Sequence, residues 1–300
     1  MLRIIQKRNY LFALSLAILV PGIVALSMFG LKLGLDFTGG TKMTLTFAAA
    51  RPSGPDVTSH LSSLNLGTIS AQTAGDHDME VRLPSISNDQ RETIITTLTK
   101  AYPGVSEKSF DSIGPVIGKE LFKRAITSLI LVLIAIILYI SWAFRKVNIG
   151  PVPAWVYGLS AIIALVHDVF IVIGIFAILG HWFGIEVDSL FVTALLTVLG
   201  FSVHDTIVVF DRVRERLIQG REPSFEETVN VSLNQTLVRS LNTSTTTLLV
   251  LSALYLFGGA TIKDFALALL IGIASGTYSS IFVASPLLVV YNSWRRRRAR

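Results

Sequence analysis

The sequence predicts an α-helical polytopic membrane protein with six transmembrane helices and an α+β, ferredoxin-like extracytoplasmic domain. Two observations carry this prediction. Hydrophobic residues make up 51% of the 300-residue chain and charged residues only 15%, against about 25% charged in an ordinary soluble domain. The apolar residues are also gathered into six long segments, whereas residues 32–120 have ordinary polarity. A soluble domain, a disordered chain and a solenoid are therefore poor fits.

Each apolar segment reaches the roughly 20 residues that an α-helix needs to cross a bilayer. The first follows basic residues, as a signal peptide does. Its length, the internal Pro21 and the lack of a small-x-small cleavage site favour a permanent anchor. The segments are Leu11–Leu31, Ala125–Phe144, Ala154–Leu179, Ser189–Phe210, Leu237–Phe257 and Phe265–Tyr291.

Residues 32–120 carry alternating strand and helix patterns. Lys42–Phe47 alternates between apolar and polar residues like a strand, and Ser87 or Asn88 is predicted to cap a helix. The element order is β-α-β-β-α-β, which is typical of a split-βαβ, ferredoxin-like domain. The predicted elements are strand 42–47, helix 55–66, strand 67–74, strand 79–83, helix 88–102 and strand 105–111.

Basic residues are concentrated on one side of the predicted membrane, within a chain of net charge +6. Since short cytoplasmic loops are enriched in Lys and Arg, both termini are predicted to be cytoplasmic and the 32–120 domain to lie outside. The basic side comprises the N-terminal tail, Arg145 and Lys146, the predicted loop 211–236 and the tail 292–300. On the other side, 180–188 has no Lys or Arg and 258–264 has only Lys263.

The predicted organisation has four parts: 1–31, the N-terminus and first helix; 32–120, the outer domain; 121–291, a five-helix bundle; and 292–300, a basic tail. Within loop 211–236, Ser224 and Glu227 predict a capping box. The helix that follows is expected to lie on the inner membrane surface. The arginines of the tail favour an anchor beside anionic lipid over a nucleic-acid site.

Two aspartates lie inside apolar segments and are the first candidates for a functional site. An Asp at the centre of a spanning helix costs about 2.5–3.5 kcal/mol on insertion scales. Asp168 in the third segment and Asp205 in the fourth both follow Val-His. They predict either a proton-carrying site inside the bundle or buried polar groups that hold the helices together.

Polar residues in the fifth segment extend this candidate site. Arg239 lies at a depth comparable to Asp205, so the two side chains are predicted to pair, although Arg239 also fits an interfacial anchor. Thr243, Thr246 and Thr247 follow it and could line a water path. His204 and His167 could relay protons, but each also fits a neutral histidine bonded within the bundle.

Other site types find little support in the sequence. There is no cysteine and no paired-histidine motif, so no metal site is predicted. Gly34–Lys42 lacks the Lys and the following helix of a phosphate-binding loop, so no nucleotide or other cofactor is predicted. Gly272 and Gly276 form a GxxxG pair that is expected to serve helix packing.

Three stretches of this chain resemble the SecF branch of the SecD/SecF family of protein-export membrane subunits. They are Gly34–Thr41 after the first helix, Val203–Glu215 at the end of the fourth and Leu233–Ser244 at the start of the fifth. The helix layout is similar over nearly all 300 residues. One departure is His204, because the family often has Asn before the helix-four aspartate.

The resemblance implies a subunit that resembles half of a resistance-nodulation-division transporter. It implies that the chain pairs with SecD and works with the SecYEG channel, often with YajC, after threading by SecA. The proton-motive force would then promote export of an unfolded preprotein across the bacterial inner membrane. The helix-four aspartate and helix-five arginine of the family correspond to Asp205 and Arg239, which implies a role in proton passage.

Three alternatives remain open at this level. A proton-driven exporter of small molecules or lipids would share the architecture, but it usually carries both halves and a second outer domain in one chain. A scaffold without energy coupling would use the aspartates only for packing. A membrane enzyme lacks any nucleophile–base constellation in the sequence.

Overall fold

The computed structural model describes residues 2–48, 51–144 and 150–298. The chain divides into two compact units. The smaller unit is Leu33–Ile126, and the larger combines Met1–Lys32 with Thr127–Arg300. The predicted basic loop residues Arg145 and Lys146 lie outside the described residues, as do residues 299–300 of the basic tail.

The smaller unit contains a four-stranded antiparallel sheet with the strand order β2-β3-β1-β4. This order and the alternation of strands and helices confirm the ferredoxin-like prediction. A short helix that the sequence patterns did not predict, α2, precedes the first strand. The elements are α2 (Leu35–Thr38), β1 (Gly40–Phe47), α3 (Gly54–Ser62), β2 (Ser70–Thr73), β3 (Asp78–Leu83), α4 (Asn88–Ala101) and β4 (Val105–Ile113).

The core of the smaller unit lies between one face of the sheet and the two longer helices. Met43 and Val81, from the central strands β1 and β3, are fully buried in it together with Leu98 of α4. Of the two predicted caps for α4, the structure has Ser87, whose side chain accepts a hydrogen bond from Gln90 N and completes a capping box. Alternation in the strands therefore leaves the opposite face of the sheet polar.

The larger unit is a helical bundle preceded by a 3₁₀ turn at Ile5–Lys7. Among the described residues, six helices are long and apolar enough to cross a membrane, which agrees with the predicted number. The sixth span comprises α9, a π-helical segment and α10. The elements are α1 (Arg8–Phe29), α5 (Pro115–Ala143, which belongs to the smaller unit as far as Ile126), α6 (Ala154–Phe183), α7 (Ser189–Gln219), α8 (Phe225–Phe257), α9 (Ala260–Ser279), the π-helical segment (Ser280–Ala284) and α10 (Ser285–Arg298).

Glycines allow the close approach of two helix pairs. A Cβ atom on Gly174 of α6 would come within 2.6 Å of the Gly22 backbone in α1. A Cβ on Gly272 would lie 2.2 Å from the side chain of Val198, and one on Gly276 would lie 2.9 Å from Cβ of Ser202. The packing role predicted for the GxxxG pair is therefore confirmed.

The segment 211–236 differs from the predicted loop. α7 continues to Gln219 and α8 begins at Phe225, so only 220–224 connects the two helices. Ser224 accepts a hydrogen bond from Glu227 N as predicted. The expected membrane-surface helix is wrong, because its apolar side is buried in the bundle: Phe225 and Val229 join the core of the larger unit.

The N-terminal residues are held against the start of α8 by two asparagines. Asn230 Oδ1 accepts hydrogen bonds from Ile4 N at 3.0 Å and from Ile5 N at 3.4 Å. Asn234 Oδ1 accepts one from Leu2 N at 2.8 Å. These contacts satisfy backbone donors at a helix start, which have no partner within the helix.

Candidate functional site

Asp168 lies in the middle of α6 and is 0% exposed. Its carboxylate accepts hydrogen bonds from three serine hydroxyls: Ser202 Oγ at 2.6 Å, Ser275 Oγ at 2.7 Å and Ser279 Oγ at 2.7 Å. A fourth contact of 3.1 Å joins Oδ1 to Nδ1 of His167. We call Asp168, His167 and these three serines the Asp168 cluster.

The Asp168 cluster links three helices, because its serines come from α7 and α9 while the aspartate comes from α6. Both carboxylate oxygens have two partners each. Burial of a carboxylate is tolerated when donors replace the lost water in this way. The arrangement fits the alternative in which Asp168 holds helices together.

Asp205 lies on α7 and is 8% exposed, but its surroundings differ. Oδ1 accepts one hydrogen bond, from Ser240 Oγ of α8 at 2.5 Å. Oδ2 is buried and accepts no hydrogen bond from the described residues. The nearby hydroxyl of Ser280 contacts Thr206 Oγ1 at 2.8 Å and donates to the Gly276 carbonyl. We call the Asp205 carboxylate and the Ser240 hydroxyl the Asp205 site.

The π-helical segment begins beside both aspartates. Ser279, the last residue of α9, donates to Asp168, and Ser280, the first residue of the segment, contacts Thr206 next to Asp205. The Ser285 hydroxyl donates to the Ser280 carbonyl at 3.0 Å across this turn. π-helical turns inside α-helices are frequent at functional sites, so this segment places one helix in contact with both carboxylate environments.

The predicted ion pair between Asp205 and Arg239 does not form among the described residues. Arg239 is exposed, while the next residue, Ser240, is buried and contacts the carboxylate. Successive residues of an α-helix point about 100° apart, which explains why neighbours face different surroundings. His204 is likewise exposed, although it precedes the buried Asp205.

An exposed polar stripe continues along α8 from Arg239. Asn242, Thr243 and Thr246 lie on it at helical spacing and are exposed. Thr246 and Thr247 donate to the carbonyl of Thr243 in their own helix, so these hydroxyls satisfy their polarity locally. Such a stripe in a membrane requires water or a partner beside it.

Several functional candidates were missed by sequence reasoning. The sequence does not single out Ser202 or Ser240 as partners of the aspartates. It does not single out Ser275 and Ser279 either, although their i, i+4 spacing places both on one helix face. Within the described residues no group of three or more His, Cys, Asp or Glu side chains could hold a metal ion.

Comparisons with known proteins agree with the layout of the chain. Residues 93–294 match the family model described as protein export membrane protein SecD/SecF, C-terminal, and residues 24–50 match the SecD/SecF GG motif. The protein translocase subunit SecF of Thermobaculum terrenum is 47% identical over 99% of this chain and 95% of its own length. That of Anaerolinea thermophila is 43% identical over 98% of this chain and 96% of its own.

A solved structure shows the same fold. The crystal structure of SecDF, a translocon-associated membrane protein from Thermus thermophilus, superposes with a TM-score of 0.81 and 33% sequence identity. The match covers 96% of this chain but only 38% of the SecDF chain. The chain described here thus spans less than half the length of that protein.

Proposed function

The chain belongs to the protein export membrane protein SecD/SecF family, and on that premise we propose that it couples the proton-motive force to late-stage protein export. It is a multi-pass membrane protein, with six apolar helices in the part of the chain that the structure describes. Its role is that of an auxiliary subunit of the Sec translocase, and it is a transport subunit rather than an enzyme.

The observation that carries proton coupling is the incomplete hydrogen bonding of Asp205. Its carboxylate is buried in a membrane span, and Oδ2 has no donor among the described residues. A buried carboxylate that lacks donors is costly in its charged form. Taking up a proton removes that charge, and releasing it requires a donor or water to approach.

Helix α8, which lies beside Asp205, supplies a mechanism that distinguishes the charged carboxylate from the protonated one. When Asp205 is charged, Ser240 donates to Oδ1, as in the structure. When Asp205 is protonated, this contact weakens, and α8 is free to shift against α7. Arg239, which is exposed beside this contact, stabilises the charged state when it swings toward the carboxylate. His204 is exposed and is proposed to lie along the proton route.

We assign the Asp168 cluster a supporting role in this cycle. Its carboxylate has four partners and no exposed surface. A group whose partners already satisfy both oxygens has little to gain from exchanging a proton. Asp168 is therefore proposed to fix α6, α7 and α9 as a frame against which α8 moves.

The exposed polar stripe on α8 supports a partner half. SecD would cover Arg239, Asn242 and Thr246 and complete the path past Thr243 and Thr247. Shared architecture with SecDF supports this pairing. SecYEG and YajC are further proposed partners, with SecA acting earlier on the same unfolded preprotein. No nucleic acid is proposed as a partner.

The basic residues support an orientation in the bacterial inner membrane. Arg3, Arg8 and the arginines near the end of α10 support cytoplasmic termini under the positive-inside rule. The smaller unit would then lie outside, where exported chains emerge. One proton crossing about 100 mV releases roughly 2.3 kcal/mol, which biases a two-state equilibrium about fiftyfold.

The proposal is tested by measuring export in cells whose only copy of this protein is a variant. Asp205→Asn keeps the shape of the side chain but removes its ionisable group, so we expect export of a reporter precursor to fall severalfold. Asp211→Asn is the matched control, because Asp211 lies on the same helix with an exposed side chain. Protein level and co-purification of SecD are measured in the same cells.

Inverted membrane vesicles separate proton coupling from assembly. With Asp205→Asn, ATP-driven export should continue while its stimulation by a proton gradient is lost. Asp205→Glu, which restores an ionisable group, should recover part of the stimulation. Full gradient stimulation with Asp205→Asn at normal protein level would contradict the proposal and favour a scaffold.

A proton-driven exporter of small molecules or lipids is the second candidate. The long polar helix face beside Asp205 would serve such an exporter equally well. This alternative predicts that Asp205→Asn impairs efflux of a small cargo while leaving reporter export intact.

A further inference from the structure

An aromatic and basic corner lies where the start of α6 meets the end of α10. The rings of Trp155 and Tyr291 are 5.4 Å apart, and those of Tyr291 and Trp294 are 5.9 Å apart. Trp155 is 58% exposed and Trp294 is 50% exposed. Tryptophan and tyrosine prefer the boundary between the hydrocarbon core and the headgroups, so this corner is placed at the level of lipid headgroups.

Two of the four arginines in this corner are held in defined positions. Arg295 Nη1 donates to the Pro151 carbonyl at 2.9 Å. The guanidinium carbon of Arg298 lies 4.5 Å from the ring centroid of Trp294. Arg296 and Arg297 are exposed, and no comparable contact holds them within the part of the chain that the structure describes. Arg295 and Arg298 are thus held in place, whereas Arg296 and Arg297 are not held by comparable contacts among the described residues. The two pairs carry the same charge.

The two stretches that form the corner lack acidic residues. Neither 150–167 nor 285–298 contains Asp or Glu, and the first carboxylate further along α6, Asp168, is buried in its cluster. An anion with an apolar body would therefore match both the charge and the exposed rings. Guanidinium groups bind phosphate oxygens with two parallel hydrogen bonds.

An apolar stripe leads from this corner along α6 into the membrane. Its members recur at intervals of three or four residues, so they share one helix face, and all are exposed. The stripe spans roughly 22 Å at 1.5 Å per residue, longer than the roughly 15 Å of one leaflet's hydrocarbon. The stripe consists of Trp155, Leu159, Ile163, Val166 and Phe170.

We propose that this corner is a specific binding seat for an anionic phospholipid. Arg295 and Arg298 hold the phosphate, the rings of Trp155 and Trp294 flank the glycerol region, and one acyl chain lies along the α6 stripe. A general attraction between the arginine tail and an anionic surface would treat all four arginines alike. The seat instead depends on the two that are held in place, and it is independent of proton coupling.

Native mass spectrometry of the full chain with phosphatidylglycerol tests the seat. Arg295→Gln with Arg298→Gln should weaken binding of the last retained lipid about tenfold. The matched control, Arg296→Gln with Arg297→Gln, removes the same charge and should retain that lipid. Equal loss in both double variants would overturn the seat in favour of a general attraction. Equal retention in both would show that the arginines hold no lipid.

Fluorescence quenching tests the seat without altering the arginines. In a chain that keeps Trp294 and has Phe at the other tryptophans, lipid brominated near the headgroup quenches the ring when it is adjacent. Brominated phosphatidylglycerol should quench more strongly than brominated phosphatidylcholine at equal mole fraction. Equal quenching by the two lipids would contradict a preference for the anionic headgroup.

Discussion

The two buried aspartates of the bundle occupy similar sequences but different environments. Asp168 and Asp205 both follow Val-His on adjacent membrane helices. Asp168 has four partners and no exposed surface, whereas Asp205 has a single partner on Oδ1 and none on Oδ2 among the described residues. The two carboxylates therefore suit different roles: Asp168, with both oxygens bonded, suits a structural role, and Asp205, with one oxygen unbonded, is the candidate proton site.

The largest expected effect is on the stability of the Asp168 cluster. Asp168→Leu leaves three serine hydroxyls and His167 without their acceptor, so we expect unfolding free energy to fall by about 3 kcal/mol or more. Asp205→Leu removes the partner of only Ser240 and should cost about 1 kcal/mol. Denaturant unfolding of the purified chain in detergent measures both. Equal losses of unfolding free energy in the two variants would contradict the distinction between the two aspartate environments.

The next largest effect is expected at Gly276, where α9 packs closely against α7 beside the Asp168 cluster. Gly276→Ala places a Cβ 2.9 Å from that of Ser202, which displaces a hydroxyl that donates to Asp168. We expect a loss of about 1–3 kcal/mol in unfolding free energy. Gly200→Ala is the control, because nothing lies within 4 Å of its added Cβ and alanine favours a helix. An unchanged unfolding free energy in Gly276→Ala would show that α7 and α9 adjust freely to the added methyl group.

Single hydroxyl deletions compare the two sites at closer range. Ser279→Ala leaves Asp168 with three partners, so stability should fall by about 1 kcal/mol while export stays normal. Ser240→Ala removes the hydroxyl that donates to Asp205 Oδ1 and should change gradient-stimulated export with little change in stability. Reporter export and thermal unfolding are measured for both. If Ser279→Ala impaired export as much as Ser240→Ala, the assignment of the Asp168 cluster as frame would be wrong.

Glu80 in the smaller unit is a third carboxylate to compare with the two aspartates, and it is one that water reaches. Partial burial opposes its ionisation, but hydrogen bonds from Arg82 and Lys42 outweigh burial and hold the pKa of Glu80 below its ordinary value of 4.5. A lowered pKa stabilises the fold above pH 4.5, and that contribution disappears as pH falls through the lower folded value.

The pH effect should be the smallest of the four. Hydrogen exchange of the sheet amides in the full chain should lose protection below pH 4.5 by a few-fold. Glu80→Gln should flatten this dependence, while Glu92→Gln on the exposed side of α4 serves as control. An unchanged pH profile in Glu80→Gln would show that these ion pairs contribute nothing measurable.

The number of membrane helices and the element order of the smaller unit were predictable from the sequence. Both depend on local patterns, because hydropathy over about 20 residues defines a span and alternation or capping residues define strands and helix starts. The capping box at Ser224 predicted the start of α8, but not its continuation into the fifth span. The buried side of 225–236 is covered by other helices rather than lipid, and this packing is not visible in local sequence patterns.

The candidate site was only partly accessible from the sequence. Asp168 and Asp205 stand out because charge is rare in apolar spans. Which residue contacts Asp205 depends on the rotation of α8 about its axis, and one position, or about 100°, decides between Arg239 and Ser240. The cluster at Asp168 likewise required three helices to bring Ser202, Ser275 and Ser279 to one point. Local composition was therefore enough to define the spans and to reveal the rare charges, whereas the partners of those charges depend on the packing of the helices, because their contacts join residues far apart in the chain.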